Sequence, residues 1–418
     1  MPKSLLGETS RTKGIAERAL AIEISAIKEM PMLVARDVPD AIRLDQGIPS
    51  FRVPKAIREY LAEAIRSVPD IGKYSLQPGM PALREAISQD LKRRLGVGVD
   101  PDKEIFVSAG SIEALDCTAR TLIDRGDEVI FFSPAYEPHI NQVKLAEGTP
   151  VYVPLRKEDW RPDIAALEKA ITEKTKAIYV CNPANPTGTV FTREEIEAIV
   201  AMAMKRDIFV IADEAYDFLV YDGKPHVSLL SFFPDMKENL VVCKTFSKQL
   251  AMTGYRIGYM VTGEGIMQHV LKPHDAAEIC APTPSQYAAL WALSNPKQIN
   301  PIVGSFRREL QERRDLIYER LSQSPEVFHP TKPEGAYYAF PQLVGNSELP
   351  VDSYEFSRWL LYTAKVSCVP GYAFGPGGEG HARFMFGAPQ STINRAFDRI
   401  EQHATPAEYA KFLNSLRN

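Results

Sequence analysis

The sequence predicts an α/β fold: a mostly parallel seven-stranded sheet between helices, followed by a smaller α+β domain. Three observations carry that prediction. Between Ile105 and Val261 short β-branched runs alternate with stretches of helical period, the pattern of strands joined by crossover helices. Helical stretches in that region carry one apolar stripe apiece, as helices laid on a sheet do. After about Ile302 the alternation stops, and a long amphipathic segment gives way to short strands mixed with helices.

In chain order, the strand candidates are Ile105 to Ala109, Glu128 to Phe132, Val151 to Val153, Ala177 to Cys181, Ile208 to Ala212, Leu240 to Cys243 and Arg256 to Val261. Ile164, Leu167 and Ile171 mark one connecting helix, and Ile196, Ile199, Val200 and Ala203 another. Thr192 followed by Glu195 is a capping box that sets where the second begins. Val303, Phe306, Leu310, Ile317 and Leu321 predict a long helix from Ile302 to Leu321, followed by strands around Tyr337 to Phe340 and Arg383 to Phe386. The first 45 or so residues hold helical signals without a sheet repeat. The expected division is an arm over 1–45, packed on the small domain or on a partner chain, a large α/β domain over 46–300 and a small α+β domain over 301–418.

Composition narrows the function. The 418 residues are 45% hydrophobic and 24% charged, an ordinary globular balance with enough chain for a sizeable core. A formal charge of −4 gives a polyanion no reason to bind, so nucleic acid is not expected as a partner. Five widely spaced cysteines suit neither a disulfide framework nor a zinc site, and the seven histidines show no ligand spacing, so no metal is expected. The opening MPKSLLGETSRTKG lacks an apolar leader, and nowhere do 18 apolar residues run together. These features predict a cytoplasmic protein without a membrane span.

Several familiar motifs fail in context. Gly375 to Gly380 formally spells GxGxxG, but it leads into the strand candidate near Arg383, whereas a dinucleotide fingerprint opens a helix after a strand. There is no GxxxxGK[ST], GxSxG or HExxH. What remains collects at the carboxyl ends of the predicted strands, where ligands bind in such sheets. Gly110-Ser111-Ile112 follows the first strand, Tyr136 the second, Asn185-Pro186-Thr187-Gly188 the fourth, Asp213 to Tyr216 the fifth and Thr245 to Lys248 the sixth. Singly, each has an ordinary explanation as a turn, a cap or a solvated side chain. Their shared placement on one edge makes a site.

The run Asn185-Pro186-Thr187-Gly188, then Asp213-Glu214-Ala215-Tyr216, then Ser247-Lys248 with Gly254-Tyr255-Arg256-Ile257-Gly258, resembles the class I/II pyridoxal-phosphate-dependent aminotransferases of fold type I, the aspartate aminotransferase superfamily. Further matches are Leu44 to Pro49 with Phe51, Tyr74 with Gly79 and Leu83-Arg84, Gly335 to Tyr338, and Val369-Pro370-Gly371 with Phe374-Gly375 and Arg383. The resemblance runs from about Leu44 to Gly387. Thr245 stands where the family commonly has Ser or Gly, and it keeps a hydroxyl.

The resemblance implies a function and a set of roles. The 46–300 unit becomes the domain that binds pyridoxal 5′-phosphate. Lys248 forms a Schiff base with the cofactor and, once freed, acts as the general base at the substrate Cα. Asp213 pairs with the pyridinium nitrogen, Tyr216 and Asn185 bond the phenolic oxygen, and Tyr136 stacks on the ring. Gly110, Ser111, Ile112, Thr245 and Arg256 hold the phosphate. Tyr74 reaches the phosphate of a neighbouring subunit, so a homodimer with shared sites is expected. Arg383 grips the substrate α-carboxylate, helped by Asn185 and by backbone near Gly47. The implied reaction moves an amino group from an L-amino acid to a 2-oxo acid, 2-oxoglutarate foremost, through a pyridoxamine phosphate intermediate. A carbon–sulfur β-lyase on the same scaffold is the alternative. A regulator that binds the cofactor without turnover would carry a basic DNA-binding module ahead of the core, for which the short arm leaves no room.

Overall fold

A computed structural model describes residues 14–22, 25–345 and 350–416 of the chain, so most of the opening stretch MPKSLLGETSRTKG lies outside the described residues. After a short strand, β1 (Ile42–Arg43), come the seven strands of the main sheet. They are β2 (Ile105–Ser108), β3 (Glu128–Ser133), β4 (Thr149–Pro154), β5 (Thr175–Cys181), β6 (Phe209–Asp213), β7 (Leu240–Thr245) and β8 (Gly258–Thr262). Their order across the sheet is β2-β8-β7-β6-β5-β3-β4. Neighbours from β4 to β7 run parallel, while β8 is antiparallel to both β7 and β2.

The reversal at β8 has a local cause. Between β7 and β8 the chain forms only a helical turn, Phe246–Gln249, and a 3₁₀ turn, Thr253–Tyr255, with no helix long enough to carry it back to the starting edge. Thr245 therefore pairs directly with Gly258. Lys248 and Arg256 are thereby held on one short loop at the carboxyl edge of β7. Arg256 itself lies outside the strand expected to begin with it, in the left-handed region at φ +51°.

Helices cover the sheet on both faces, so the central strands are buried throughout and read in the sequence as continuous apolar runs. The helix Arg193–Arg206 carries the capping box: Thr192 accepts from the Glu195 N–H and Glu195 accepts from the Thr192 N–H, while Ile196, Ile199, Val200 and Ala203 are buried. The helix Ile164–Ala170 stops one residue before Ile171, which caps it.

A second apolar core forms around Leu310, Ile317, Phe328, Phe356, Phe384 and Phe397. The helix Pro296–Ser322 serves both cores, with Ile299 in the first and Leu310 to Leu321 in the second. It begins six residues before the expected Ile302, because Pro296 is suited to a first helical turn. The strands here are short: β9 (Phe328–His329), β10 (Tyr338–Ala339), β11 (Gln342–Leu343), β12 (Val366–Ser367), β13 (Val369–Pro370) and β14 (Ala382–Met385). A three-stranded antiparallel sheet runs β10-β14-β13, β9 pairs with β11, and β1 joins β12 in parallel. The Gly-rich stretch before β14 forms 3₁₀ turns at Gly371–Phe374 and Pro376–Gly378. Ahead of β1, the helix Ala26–Asp37 packs Met30, Leu33 and Val34 with Leu361 of the helix Ser353–Ala364.

Candidate active site

The carboxyl edge of β2 and β5 to β7 opens into a cavity of about 500 Å³. Its walls include Gly47, Ser111, Ile112, Tyr136, Asn185, Asp213, Tyr216, Thr245, Lys248, Arg256 and Arg383, so eleven residues singled out in the sequence meet in one space. Gly110 stands just behind the wall and Tyr74 lies elsewhere.

Gly110 follows β2 as the N-cap of the helix Ser111–Leu122, at φ +87°. A Cβ there would come within 2.5 Å of Arg256 Nη2, so both the backbone angle and the close approach call for glycine. Ser111 and Ile112 open the helix, where N–H groups have no intrahelical acceptor and point outward with the positive end of the helix dipole. Arg256 lies against this turn, with Nη2 donating to the Ala109 carbonyl at 3.1 Å and Nη1 to the Thr253 carbonyl at 3.0 Å. The Thr245 hydroxyl, at the end of β7, accepts from the Ser247 N–H at 3.1 Å. N–H groups at a helix start, a guanidinium and a hydroxyl on one side of a cavity are the kinds of group that could hold a phosphate dianion.

Asp213 is the last residue of β6. One of its carboxylate oxygens accepts from the Ala215 N–H at 3.1 Å and the other lies 3.0 Å from His139 Nε2. His139 was not singled out in the sequence. It sits in the helix that Tyr136 caps, and nothing in the sequence pairs it with Asp213 before folding. Buried against Tyr179 at 5.0 Å between ring centroids, His139 has one place to point.

Lys248 Nζ donates to the Gly47 carbonyl at 3.0 Å. Burial pushes its amine down to about 8; the Asp213 carboxylate opposes this, and the Arg383 and Arg256 guanidiniums add to it. A lysine tuned in this way holds an appreciable uncharged fraction near neutral pH, which a nucleophile or base requires. Burial raises the Tyr136, Tyr216 and Tyr338 phenols, which therefore remain protonated donors.

Arg383, in β14, reaches the cavity from the other side. Its Nη1 donates to Asn185 Oδ1 and its Nη2 to the Asp45 carbonyl, both at 3.0 Å, while Nε has no partner among the described residues. The guanidinium lies 4.5 Å from the Tyr338 ring centroid. Tyr338, a second residue without an assigned role in the sequence reading, hydrogen-bonds Tyr216 through their hydroxyls at 2.8 Å. A Cβ at Gly47 would come within 2.5 Å of the Tyr338 hydroxyl, which is why the backbone approaches so closely there. The remaining unexpected wall comes from the arm, whose Ile27, Lys28 and Pro31 line the cavity.

The structure does not bring Tyr74 into this cavity: it is 76% exposed. Its loop is nonetheless anchored, with Gln77 donating to the Leu271 carbonyl at 2.6 Å, Thr283 to the Lys73 carbonyl at 2.7 Å and Gln286 to the Ser75 hydroxyl at 2.8 Å.

Residues 39–400 match the family model described as aminotransferase class I and II. The chain belongs to that family. This aminotransferase is 37% identical over 373 residues to an aspartate aminotransferase of Pyrococcus abyssi, an alignment covering 88% of the chain and 93% of that relative. It is 34% identical to aromatic-amino-acid aminotransferase 2 of Thermococcus litoralis, over 93% and 97% of the two chains. Among solved structures, aspartate aminotransferase from Thermus thermophilus with maleate superposes with a TM-score of 0.86 at 29% identity, over 94% of this chain and all of that one. The cofactor is pyridoxal 5′-phosphate, and the reaction is transfer of an amino group. The cavity fits that cofactor: a part-buried amine, a carboxylate, and a guanidinium and hydroxyl suited to a phosphate line one space.

Proposed function

We propose that this aminotransferase moves the amino group of an L-amino acid to 2-oxoglutarate, working as a cytoplasmic homodimer with shared active sites. The bound cofactor carries the amino group between the two substrates and draws off the electron pair released at Cα. The chain's residues do the rest. Lys248 holds the cofactor and moves the proton at Cα, a task suited to an amine near 8. Asp213, oriented by His139, keeps a proton on the ring nitrogen. Tyr216 and Asn185 serve the ring's phenolic oxygen, and Tyr136 packs against the ring. Gly110, Ser111, Ile112, Thr245 and Arg256 take the phosphate. Arg383 takes the α-carboxylate that amino and oxo acids share, with Asn185 and the backbone at Gly47 beside it.

One observation carries this reading: Lys248, Asp213 and Arg383, an amine, a carboxylate and a guanidinium from three separate elements, line one cavity. Lys28 supports a dicarboxylic acceptor, since it adds an ammonium to the wall contributed by the arm. A division near residue 300 is supported by the second apolar core, which takes most of its residues from Leu310 onward and adds Ala215, Tyr216, Leu219 and Tyr221 from the sheet side, and β1 ties the end of the arm to β12. For the dimer, the support is an anchored loop that exposes Tyr74 at 76% and Leu76 at 61%, an apolar pair that is not part of its own cavity's lining. For the compartment, the support is that no helix among the described residues is long and apolar enough to cross a membrane, together with five free cysteines.

Two experiments test the reading. A panel of amino donors with 2-oxoglutarate is expected to yield glutamate and the matching 2-oxo acid; ammonia with pyruvate as the products would overturn it in favour of elimination. Mixing Tyr74→Phe chains with Lys248→Ala chains is expected to restore activity to a fraction of wild type, because a heterodimer places both lesions in one site and leaves the other intact. No recovery after confirmed subunit exchange would refute the shared site.

A further inference from the structure

Behind the phosphate seat, on the side away from the cavity, three donors converge on one carboxylate. Glu113, in the first turn of the helix Ser111–Leu122, accepts from the Ala109 N–H at 3.2 Å through Oε2. Through Oε1 it accepts from the Cys117 thiol at 2.9 Å and lies 2.9 Å from His274 Nδ1. His274 belongs to the helix Glu264–Ala277, is fully buried, and is held edge-on against Phe106 with ring centroids 4.5 Å apart. The Ala109 N–H and its carbonyl lie in successive peptide planes. Glu113 pins the first and Arg256 the second. Those two planes lead directly into Gly110 and so set the aim of the Ser111 and Ile112 N–H groups. Gln142 adds a third restraint by donating to the Ile112 carbonyl at 2.8 Å.

A carboxylate close to a seat for a dianion is electrostatically unfavourable, so its presence calls for a compensating role. A group with only acceptors answers three donors at once, which neither an amide nor a hydroxyl does. We propose that Glu113, oriented by His274, is a positioning residue of the phosphate seat: it fixes the Ala109–Gly110 backbone so that the helix N–H groups aim at the phosphate. This rests on the reading that Gly110 to Ile112 seat the phosphate. Neither Glu113 nor His274 lines the cavity, so neither touches the cofactor.

The test compares two ligands of the cofactor-free protein, pyridoxal phosphate and unphosphorylated pyridoxal, titrated by absorbance. Wild type is expected to prefer the phosphorylated ligand strongly; the absence of that preference would refute the seat itself. Glu113→Ala is expected to weaken pyridoxal phosphate binding about tenfold, the scale of one charge-assisted hydrogen bond, with pyridoxal binding unchanged. Glu113→Gln, which keeps an acceptor for the Ala109 N–H but turns its amide on the Cys117 and His274 donors, is expected to recover only part of the preference, and His274→Phe to lose part of it. An unaltered preference in Glu113→Ala, or an equal loss for both ligands, would overturn the inference while leaving the seat intact. Should Glu113→Ala not fold, the same ratio is read in His274→Phe, and an unchanged value there overturns it.

Discussion

The sheet-edge wall of the cavity and the wall contributed by the arm are held by different means. On the sheet side, Asp213 and Thr245 end neighbouring strands, and their chain neighbours bind each other beneath the site. Lys244 Nζ lies 2.6 Å from Glu214 and 2.8 Å from Asp217, and Arg94 reaches Asp217 at 2.7 Å. Burial opposes charge on Asp217, but Lys244 and Arg94 prevail and hold its carboxyl well below the usual range. Breaking a buried pair of this kind costs about 3–5 kcal/mol, so the two strand ends are locked together. The arm wall has no sheet behind it. Its helix is tied to the helix Glu137–Leu145 beside the main sheet by a hydrogen bond from Ser25 to Glu137 and to the helix Ser353–Ala364 by one from Tyr354 to Glu29 at 2.8 Å. The sheet-edge wall is the one suited to holding groups in a fixed geometry.

If that contrast is right, lesions on the sheet side damage the chemistry most. Asp213→Asn is expected to lower kcat by about 10²–10³, the usual effect of removing one preorganised electrostatic group. It should still bind the cofactor, because shape and the partner His139 are kept. Cofactor content measured by absorbance alongside steady-state turnover checks both halves, and normal turnover would remove Asp213 from its role. Arg383→Ala comes next. It is expected to raise KM by about 10–100-fold, the range for hydrogen bonds to charged groups, and to do so for amino and oxo acids alike, since both present the same α-carboxylate. An effect on one half-reaction alone would break the assignment.

The same contrast decides what could be read from the sequence. Strands such as β6 and β7 were legible because, covered on both faces, they are unbroken apolar runs, and the residues just after them fall on the ligand edge by topology alone. β10 falls inside the strand expected around Tyr337 to Phe340, but β13 has two residues, too few for any period, and its position comes from pairing with β14. Arg256 falls outside the strand because, although the Arg256-to-Val261 run looks continuous, Arg256 itself turns through a left-handed angle and pairing begins only at Gly258. His139 went unread since a lone histidine on a helix announces no partner until Asp213 is brought to it. The arm's cavity face had no signal at all: Ile27, Lys28 and Pro31 resemble any stretch of a short helix, and only packing decides which side meets the site.

A pH dependence sharpens the comparison further. Because burial holds the Lys248 amine at about 8, below the ordinary lysine value of 10.5, its uncharged form grows in as pH rises through about 8. The rate at which cofactor-free protein captures pyridoxal phosphate covalently, trapped with borohydride, is expected to climb between roughly pH 7 and 9 and then level off. A rise centred near 10 would show a solvated lysine. Arg383→Ala removes a cation whose charge depresses the amine, so the midpoint should move upward in that variant.

The smallest effect is expected from the arm. Lys28 is exposed, has no ion pair among the described residues, and contributes the arm's ammonium to the cavity. Exposed charge pairs are worth up to about 1 kcal/mol, which bounds the change in affinity at about fivefold. Lys28→Ala is therefore expected to raise KM for 2-oxoglutarate two- to fivefold at low salt, by an order-of-magnitude reckoning, and to leave KM for pyruvate, a monocarboxylic oxo acid, unchanged. Turnover at saturation should not change if, as proposed, the strand ends carry the chemistry, because their ion pairs do not involve the arm. Raising the ionic strength should shrink the difference between wild type and variant, since an exposed pair is screened within about 8–10 Å. Equal changes for the two oxo acids would mean that Lys28 only packs. A fall in kcat would break the comparison itself, because it would show that the arm holds the chemistry as well as the selectivity.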